Sequence, residues 1–277
     1  MTGSAARLRL QALSDSANIA AVRAAIAAVG DAERLEDELI ADVKTAATEA
    51  CNNIVLHAYQ GQAGPMCVEL ELEPASVRLL VSDEGNGFVP VAGRRRLGLG
   101  LPLIGALTRH AEFRMGKGGG TEVEMWFSRP VVGMTGPAVS WPARTPGSEV
   151  LGLGIWFMPC DLGLYVLPRV LTLLAAGRGY SLPGVERVRR AAACLARYTG
   201  LLASPVSHVV ISFDHCRLEV AVALAAGAGR GGEGTSGAGL PAELVDAADA
   251  VRVHRGEDGD RWLLMELSYP GAARGQG

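Results

Sequence analysis

The 277-residue sequence contains no apolar run long enough to span a bilayer, and no apolar core near its start of the kind a secretory signal carries. Its five cysteines, Cys51, Cys67, Cys160, Cys194 and Cys216, include no CxxC pair, so neither a zinc site nor a disulfide framework is indicated. There is no basic block beyond Arg94-Arg95-Arg96 and the net charge is −3, which argues against a general nucleic-acid surface. These absences describe a protein of a reducing cytoplasm with no direct nucleic-acid or membrane partner, whose cysteines read as small buried apolar residues. Core material, by contrast, is plentiful. Hydrophobic residues make up 49% of the chain and charged ones 20%, which argues against global disorder, and the length suits two ordinary domains.

The chain is organised around residues 42–59, DVKTAATEACNNIVLHAY. Alanines and long side chains dominate it, with no Gly or Pro inside, so it reads as a helix. Val43, Ala46, Ala47, Ala50, Cys51 and Ile54 form an apolar stripe, while Glu49, Asn52 and Asn53 share another face. On this stretch alone, those polar residues read either as a solvated face or as a base beside a metal ligand. Around the helix, the patterns predict a strand over 6–13, helix-start residues at Ser14 to Ser16, and a helix over 17–29 ended by Gly30. A polar entry from Ala32 leads into the central helix. A hairpin follows over 66–73 and 76–82, ending at Asp83. Then come a helix over 102–110, with Pro102 in its first turn, and strands over 111–115 and 122–128 joined by a glycine-rich turn. That order is a two-layer α/β sandwich, a mixed sheet with helices on one face.

Residues 131–149, rich in Pro, Gly, Ser and Thr and without periodicity, read as a linker. Beyond it the pattern repeats. Gly116, Gly119, Met125, Ser128 and Pro130 recur in order, at constant spacing, as Gly256, Gly259, Met265, Ser268 and Pro270. Ala50 and Cys51 recur, at a slightly different spacing, as Ala193 and Cys194. The expected organisation is a domain over 1–130, a second copy over 150–270 and a tail over 271–277.

Three glycine boxes carry the chemistry. The strand ending at Asp83 runs into Asp83-Glu84-Gly85-Asn86-Gly87, where glycines let backbone turn tightly against a ligand and a buried carboxylate can accept from an exocyclic amine. Leu97-Gly98-Leu99-Gly100-Leu101-Pro102 opens a helix, and backbone N–H groups at a glycine-rich helix start can cradle phosphate. Gly119-Gly120-Thr121 precedes the last strand and brings a hydroxyl. Each box alone is weak, since Asp-Gly runs are common turn material.

Order makes the set specific. E-x-x-x-N on a helix, D-x-G-x-G after a strand, G-x-G before a helix and G-T before a strand together resemble the Bergerat ATP-binding fold of the GHKL (HATPase_c) superfamily, shared by gyrase, histidine kinases and MutL. Within it, TEACNNIVLHAY, SDEGNGF and LGLGLPLI resemble the SpoIIAB/RsbW-type anti-sigma factor serine/threonine kinases, over residues 1–130. The resemblance implies that Asn53 coordinates Mg²⁺ bridging the ATP phosphates and that Glu49 is the general base. It implies that Asp83 binds the adenine amine, that Gly85, Gly87, Gly98, Leu99, Gly100 and Leu101 shape the nucleotide loops, and that Thr121 completes the base pocket. The activity implied is ATP-dependent phosphorylation of a STAS-type anti-sigma antagonist by a protein that also binds a sigma factor. An ATP-gated protein-binding switch without phosphoryl transfer is the alternative. Kinases of this type act as homodimers, so a fused second copy implies a homodimer or an internal pseudodimer.

The segment 89–96 is too short for a long mobile lid, and Arg94 to Arg96 read equally as phosphate contacts or solvated charge. His57 reads as a helix-end residue beside carbonyls, and Asp214-His215-Cys216 as a hairpin turn whose side chains diverge. In the second copy, Ala192 and Ala196 are expected to stand for Glu49 and Asn53. Ala225 is expected opposite Asp83, with Gly227 and Gly229 on Gly85 and Gly87, so this copy keeps the fold and loses the ligand.

Overall fold

The computed structural model describes residues 6–86, 100–116, 119–130, 152–158, 160–200, 207–214, 217–224, 240, 242–255 and 261–268. The linker expected over 131–149 lies outside the described residues. The chain divides into two compact units, Met1–Leu153 and Gly154–Gly277.

The first unit runs β1 (Arg7–Leu13), α1 (Ser16–Ala32), α2 (Asp37–Asn53), a π-helical turn (Ile54–Ala58), β2 (Pro65–Leu72), β3 (Ser76–Asp83), α3 (Gly100–Leu107), β4 (His110–Met115) and β5 (Thr121–Ser128). Its strands are ordered β4-β5-β3-β2-β1. The expected two-layer sandwich is present, with one refinement: every described ladder is antiparallel. The connections explain this. Two helices run out and back between β1 and β2, so β2 re-enters from the end where β1 left. The single helix α3 leads to the edge strand β4, which leaves the antiparallel β5 beside β3.

Alternation builds the core. Leu8, Leu10, Met66, Val68, Leu70, Val77, Leu79, Val81, Val123, Met125 and Phe127 are buried and line the face under the helices. The opposite face carries ion pairs: Arg7 with Glu71, Arg9 with Glu69 at 3.1 Å, and Arg78 and Arg114 with Glu124. Asp15 caps α1, its Oδ1 accepting the Asn18 N–H at 2.7 Å. Gly30 does not end that helix, which continues to Ala32. A Cβ at Gly30 would stand 2.6 Å from the Ile40 side chain, so this glycine serves helix packing, and Arg34 takes the positive φ of 54° beyond the helix end.

The second unit runs β6 (Leu153–Met158), a 3₁₀ turn (Cys160–Leu162), α4 (Gly163–Gly177), α5 (Leu182–Gly200), β7 (Ser207–Asp214), β8 (Arg217–Leu224), α6 (Ala242–Ala247), β9 (Ala250–Arg255) and β10 (Arg261–Ser268), with strand order β6-β7-β8-β10-β9. It has its own core, including Ile155, Phe157, Leu167, Leu171, Val220 and Met265. Element order and strand order both match those of the first unit. Among the described residues, no helix is long and apolar enough to cross a membrane.

Candidate functional site

Helix α2 starts on Asp37 and Glu38, whose charges favour its positive end, and buries Ile40, Val43, Ala46, Ala47, Ala50 and Cys51. Helix α1 covers one flank. There Arg23 donates to Thr48 Oγ1 at 2.7 Å, and Thr48 donates to the Lys44 carbonyl at 2.6 Å. At about 100° per residue, Glu49 and Asn53 lie roughly 100–140° round from Thr48, away from α1. Both are half-buried, and neither makes a hydrogen bond or ion pair among the described residues. A carboxylate and a carboxamide thus stand one turn apart, unengaged among the described residues. Cys51 behind them is inert, its thiol pushed up to about 12 by burial.

After Asn53 the helix widens into the π turn, a feature often found at functional sites. This brings the Ala58 carbonyl against the turn after β3. Asn86 N–H donates to Ala58 O at 3.1 Å. A Cβ on Gly85 would stand 2.4 Å from the same oxygen, so only glycine fits.

Asp83 ends β3 on the helix side of the sheet, in phase with Val81, and is 8% exposed. Its Oδ1 accepts the Gly85 N–H at 2.8 Å, and among the described residues Oδ2 accepts nothing. The β3–β5 ladder pairs Ser82 with Glu122, which brings Gly120 and Thr121 beside Asp83. A Cβ at Gly120 would stand 1.9 Å from the Asp83 carbonyl oxygen and 2.9 Å from Oδ1. Gly120→Ala is therefore expected to force the two strand ends apart at a cost of about 1–3 kcal/mol. A lower denaturant midpoint for the full chain would show it, and an unchanged midpoint would mean the ends part freely.

Glu49, Asn53, Asp83, Gly85 and Thr121 thus lie at one end of the first unit, on the helix side. Gly100 opens α3, which packs on α2 through the fully buried Ile104, and Leu101 is half-buried. Gly87, Gly98, Leu99 and Arg94 to Arg96 lie outside the described residues. His57 is exposed at the end of the π turn, in keeping with a helix-end role. His215 and Cys216 lie outside the described residues. Sequence reasoning passed over Gly120 and Tyr59 as site residues. Gly120 was visible only as one member of a glycine run. A tyrosine after a helix end carries no signal until its partners are known.

The second unit corrects the expected register. Ala192 and Ala196 are 0% exposed and belong to the core face of α5, so they cannot stand for half-buried Glu49 and Asn53. The buried residues Val188, Ala191, Ala192, Leu195 and Ala196 repeat the spacing of Val43, Ala46, Ala47, Ala50 and Cys51. That match sets Cys194 and Tyr198 at the Glu49 and Asn53 positions. Likewise Leu263 pairs with Val222 as Val123 pairs with Val81, which sets Leu224, not Ala225, at the Asp83 position and Arg261 at that of Thr121. Ala225, Gly227 and Gly229 lie outside the described residues. Alanine-rich helices align by composition at several offsets, and burial decides between them.

The donor set fits a nucleotide with a hard cation. Among the described residues it offers an unengaged carboxamide oxygen and a buried carboxylate with one free oxygen, at a strand end where two glycines leave no room for larger side chains. Among the described residues no group of three His, Cys, Asp or Glu is placed to hold a metal by protein ligands alone.

A family model described as histidine kinase-like ATPase domain matches residues 12–127, inside the first unit. The anti-sigma F factor of Pasteuria penetrans is 33% identical over 133 residues, covering 43% of this chain and 88% of that protein. The anti-sigma F factor of Caldanaerobacter subterraneus subsp. tengcongensis is 29% identical over 129 residues, covering 43% of this chain and 90% of that protein.

Proposed function

This chain belongs to the family of histidine kinase-like ATPase domains that includes the anti-sigma F factors, and on that premise we propose that it is an anti-sigma regulator with ATP-dependent serine/threonine kinase activity. It binds a sigma factor and phosphorylates a STAS-type antagonist. The observation that carries this reading is the placing of Glu49, Asn53, Asp83, Gly85 and Thr121 at one end of one unit, with the first two unengaged among the described residues. Asp83 Oδ2 accepts from the adenine amine while Oδ1 holds the Gly85 turn. Thr121 closes the base pocket beside Asp83. Asn53 is the residue that would hold Mg²⁺, which when bound would supply charge neutralisation for the phosphates. Glu49, a helical turn away, takes the proton from the attacking serine or threonine hydroxyl. Phosphoryl transfer asks mainly for such positioning: the hydroxyl oxygen bonds to the γ-phosphorus as the bond from that phosphorus to ADP breaks, and ADP leaves.

The second unit, in this reading, is a copy without a nucleotide site. Cys194, Tyr198, Leu224 and Arg261 at the four key positions offer no cation ligand of the Asn53 kind and no acceptor for adenine. Titration of the full chain with Mg·ATP is therefore expected to saturate at one nucleotide per chain. Labelled phosphate is expected on the antagonist after incubation with it. Two sites per chain would refute the degenerate copy, and no binding would refute the ATPase reading. Binding without transfer would favour the protein-binding switch.

A further inference from the structure

We propose that Tyr59 is a positioning residue for the base end of the nucleotide site, holding the Asp83–Gly85 turn in fixed relation to the helix that carries Asn53. The inference rests on the ATP reading above and adds a residue to it.

Tyr59 is the first residue after the π turn, and three strand ends meet on it. Its hydroxyl donates to the Pro65 carbonyl at 2.5 Å and accepts the Glu84 N–H at 2.9 Å. Pro65 opens β2 and Glu84 comes directly after the end of β3, so the hydroxyl bridges the two strands one step past their last paired rung, Met66 with Asp83. The ring lies against Gly64, where a Cβ would stand 2.3 Å from a ring carbon, so Gly64 is required for it to sit there. Gly64 is tied in turn to the end of β1: Ser14 N–H donates to Gly64 O at 2.8 Å, and Gly64 N–H donates to Ser14 Oγ at 3.1 Å.

The neighbouring residue completes the clamp. Ala58 O accepts the Asn86 N–H at 3.1 Å, and Gly85 packs on the same carbonyl. Residues 58 and 59 thus hold residues 84, 85 and 86, and Asp83 Oδ1 is bound to the Gly85 N–H within that segment. The extra residue of a π turn rotates the chain beyond it by roughly 100°, which allows both the Ala58 carbonyl and the Tyr59 hydroxyl to reach the turn. Burial pushes the Tyr59 phenol up to about 12, so the hydroxyl remains a donor at neutral pH. Helix α2 carries Asn53 and the turn carries Asp83. A hydroxyl that joins them fixes where the base lies relative to the phosphates.

The test is Tyr59→Phe in the full chain, which keeps the ring over Gly64 and removes both hydroxyl bonds. ATP and inosine triphosphate affinities are measured, since the latter lacks the exocyclic amine that Asp83 reads. ATP affinity is expected to fall about 3- to 10-fold, the range for one or two ordinary hydrogen bonds, with a smaller loss for inosine triphosphate. Amide exchange at 84–86 is expected to quicken while α1 and β1 stay protected. Unchanged ATP affinity, or equal losses for both nucleotides, would overturn the proposal, the second outcome marking a structural role alone. If the unaltered chain binds no ATP, the ATP reading falls and this one with it. If the unaltered chain binds and the variant binds equally well, only the role of Tyr59 falls.

Discussion

Asp83→Asn is expected to weaken ATP binding by one to two orders of magnitude while leaving the fold intact. The two side chains are isosteric, so the change is one of hydrogen-bond character. Oδ1 of Asp83 is committed to the Gly85 N–H at 2.8 Å. An asparagine that keeps that bond must turn its NH₂ group toward the adenine amine, which sets donor against donor. One that turns its oxygen to the adenine instead abandons the Gly85 turn. Hydrogen bonds to charged groups contribute about 1.5–3 kcal/mol, or roughly 10- to 150-fold in affinity. Calorimetric titration with Mg·ATP measures this directly, and a melting temperature close to that of the unaltered chain shows that the loss is local. An affinity equal to that of the parent chain would remove adenine recognition from Asp83.

The second large effect falls on rate. Glu49→Ala is expected to lower phosphoryl transfer to the antagonist by about 10²–10⁴-fold, the usual cost of losing a general base, with ATP affinity nearly unchanged. Truncation should do little to the fold. Glu49 is half-buried, leaves no bound partner behind among the described residues, and gives way to the best helix former. A normal transfer rate in a labelled-phosphate assay would show that Glu49 is not the base. Full nucleotide binding with no transfer even in the parent chain would point to a switch.

The sequence by itself determined the secondary-structure order and the sandwich, and it named the candidate site residues that the first unit brings to one end. Those features are written in local chemistry. Period-two alternation in β2, β3 and β5 can be read without knowing a neighbour, and so can the alanine-rich stripe of α2. Motif spacing marked Glu49, Asn53, Asp83, Gly85 and Thr121. Three things were decided only by tertiary contact. Gly30 looks like a helix stop, yet Ile40, ten residues on, makes it a packing glycine. Ala192 and Ala196 look like counterparts of Glu49 and Asn53, yet the core they face sets Cys194 and Tyr198 at those positions. The clamp of Ala58 and Tyr59 on residues 84–86 joins segments about 25 residues apart. It depends on a π turn that no local propensity marks. An apolar pattern states which face is buried. Which neighbour covers it, and therefore which glycine has room for nothing larger and which hydroxyl finds an acceptor, is settled when the elements pack.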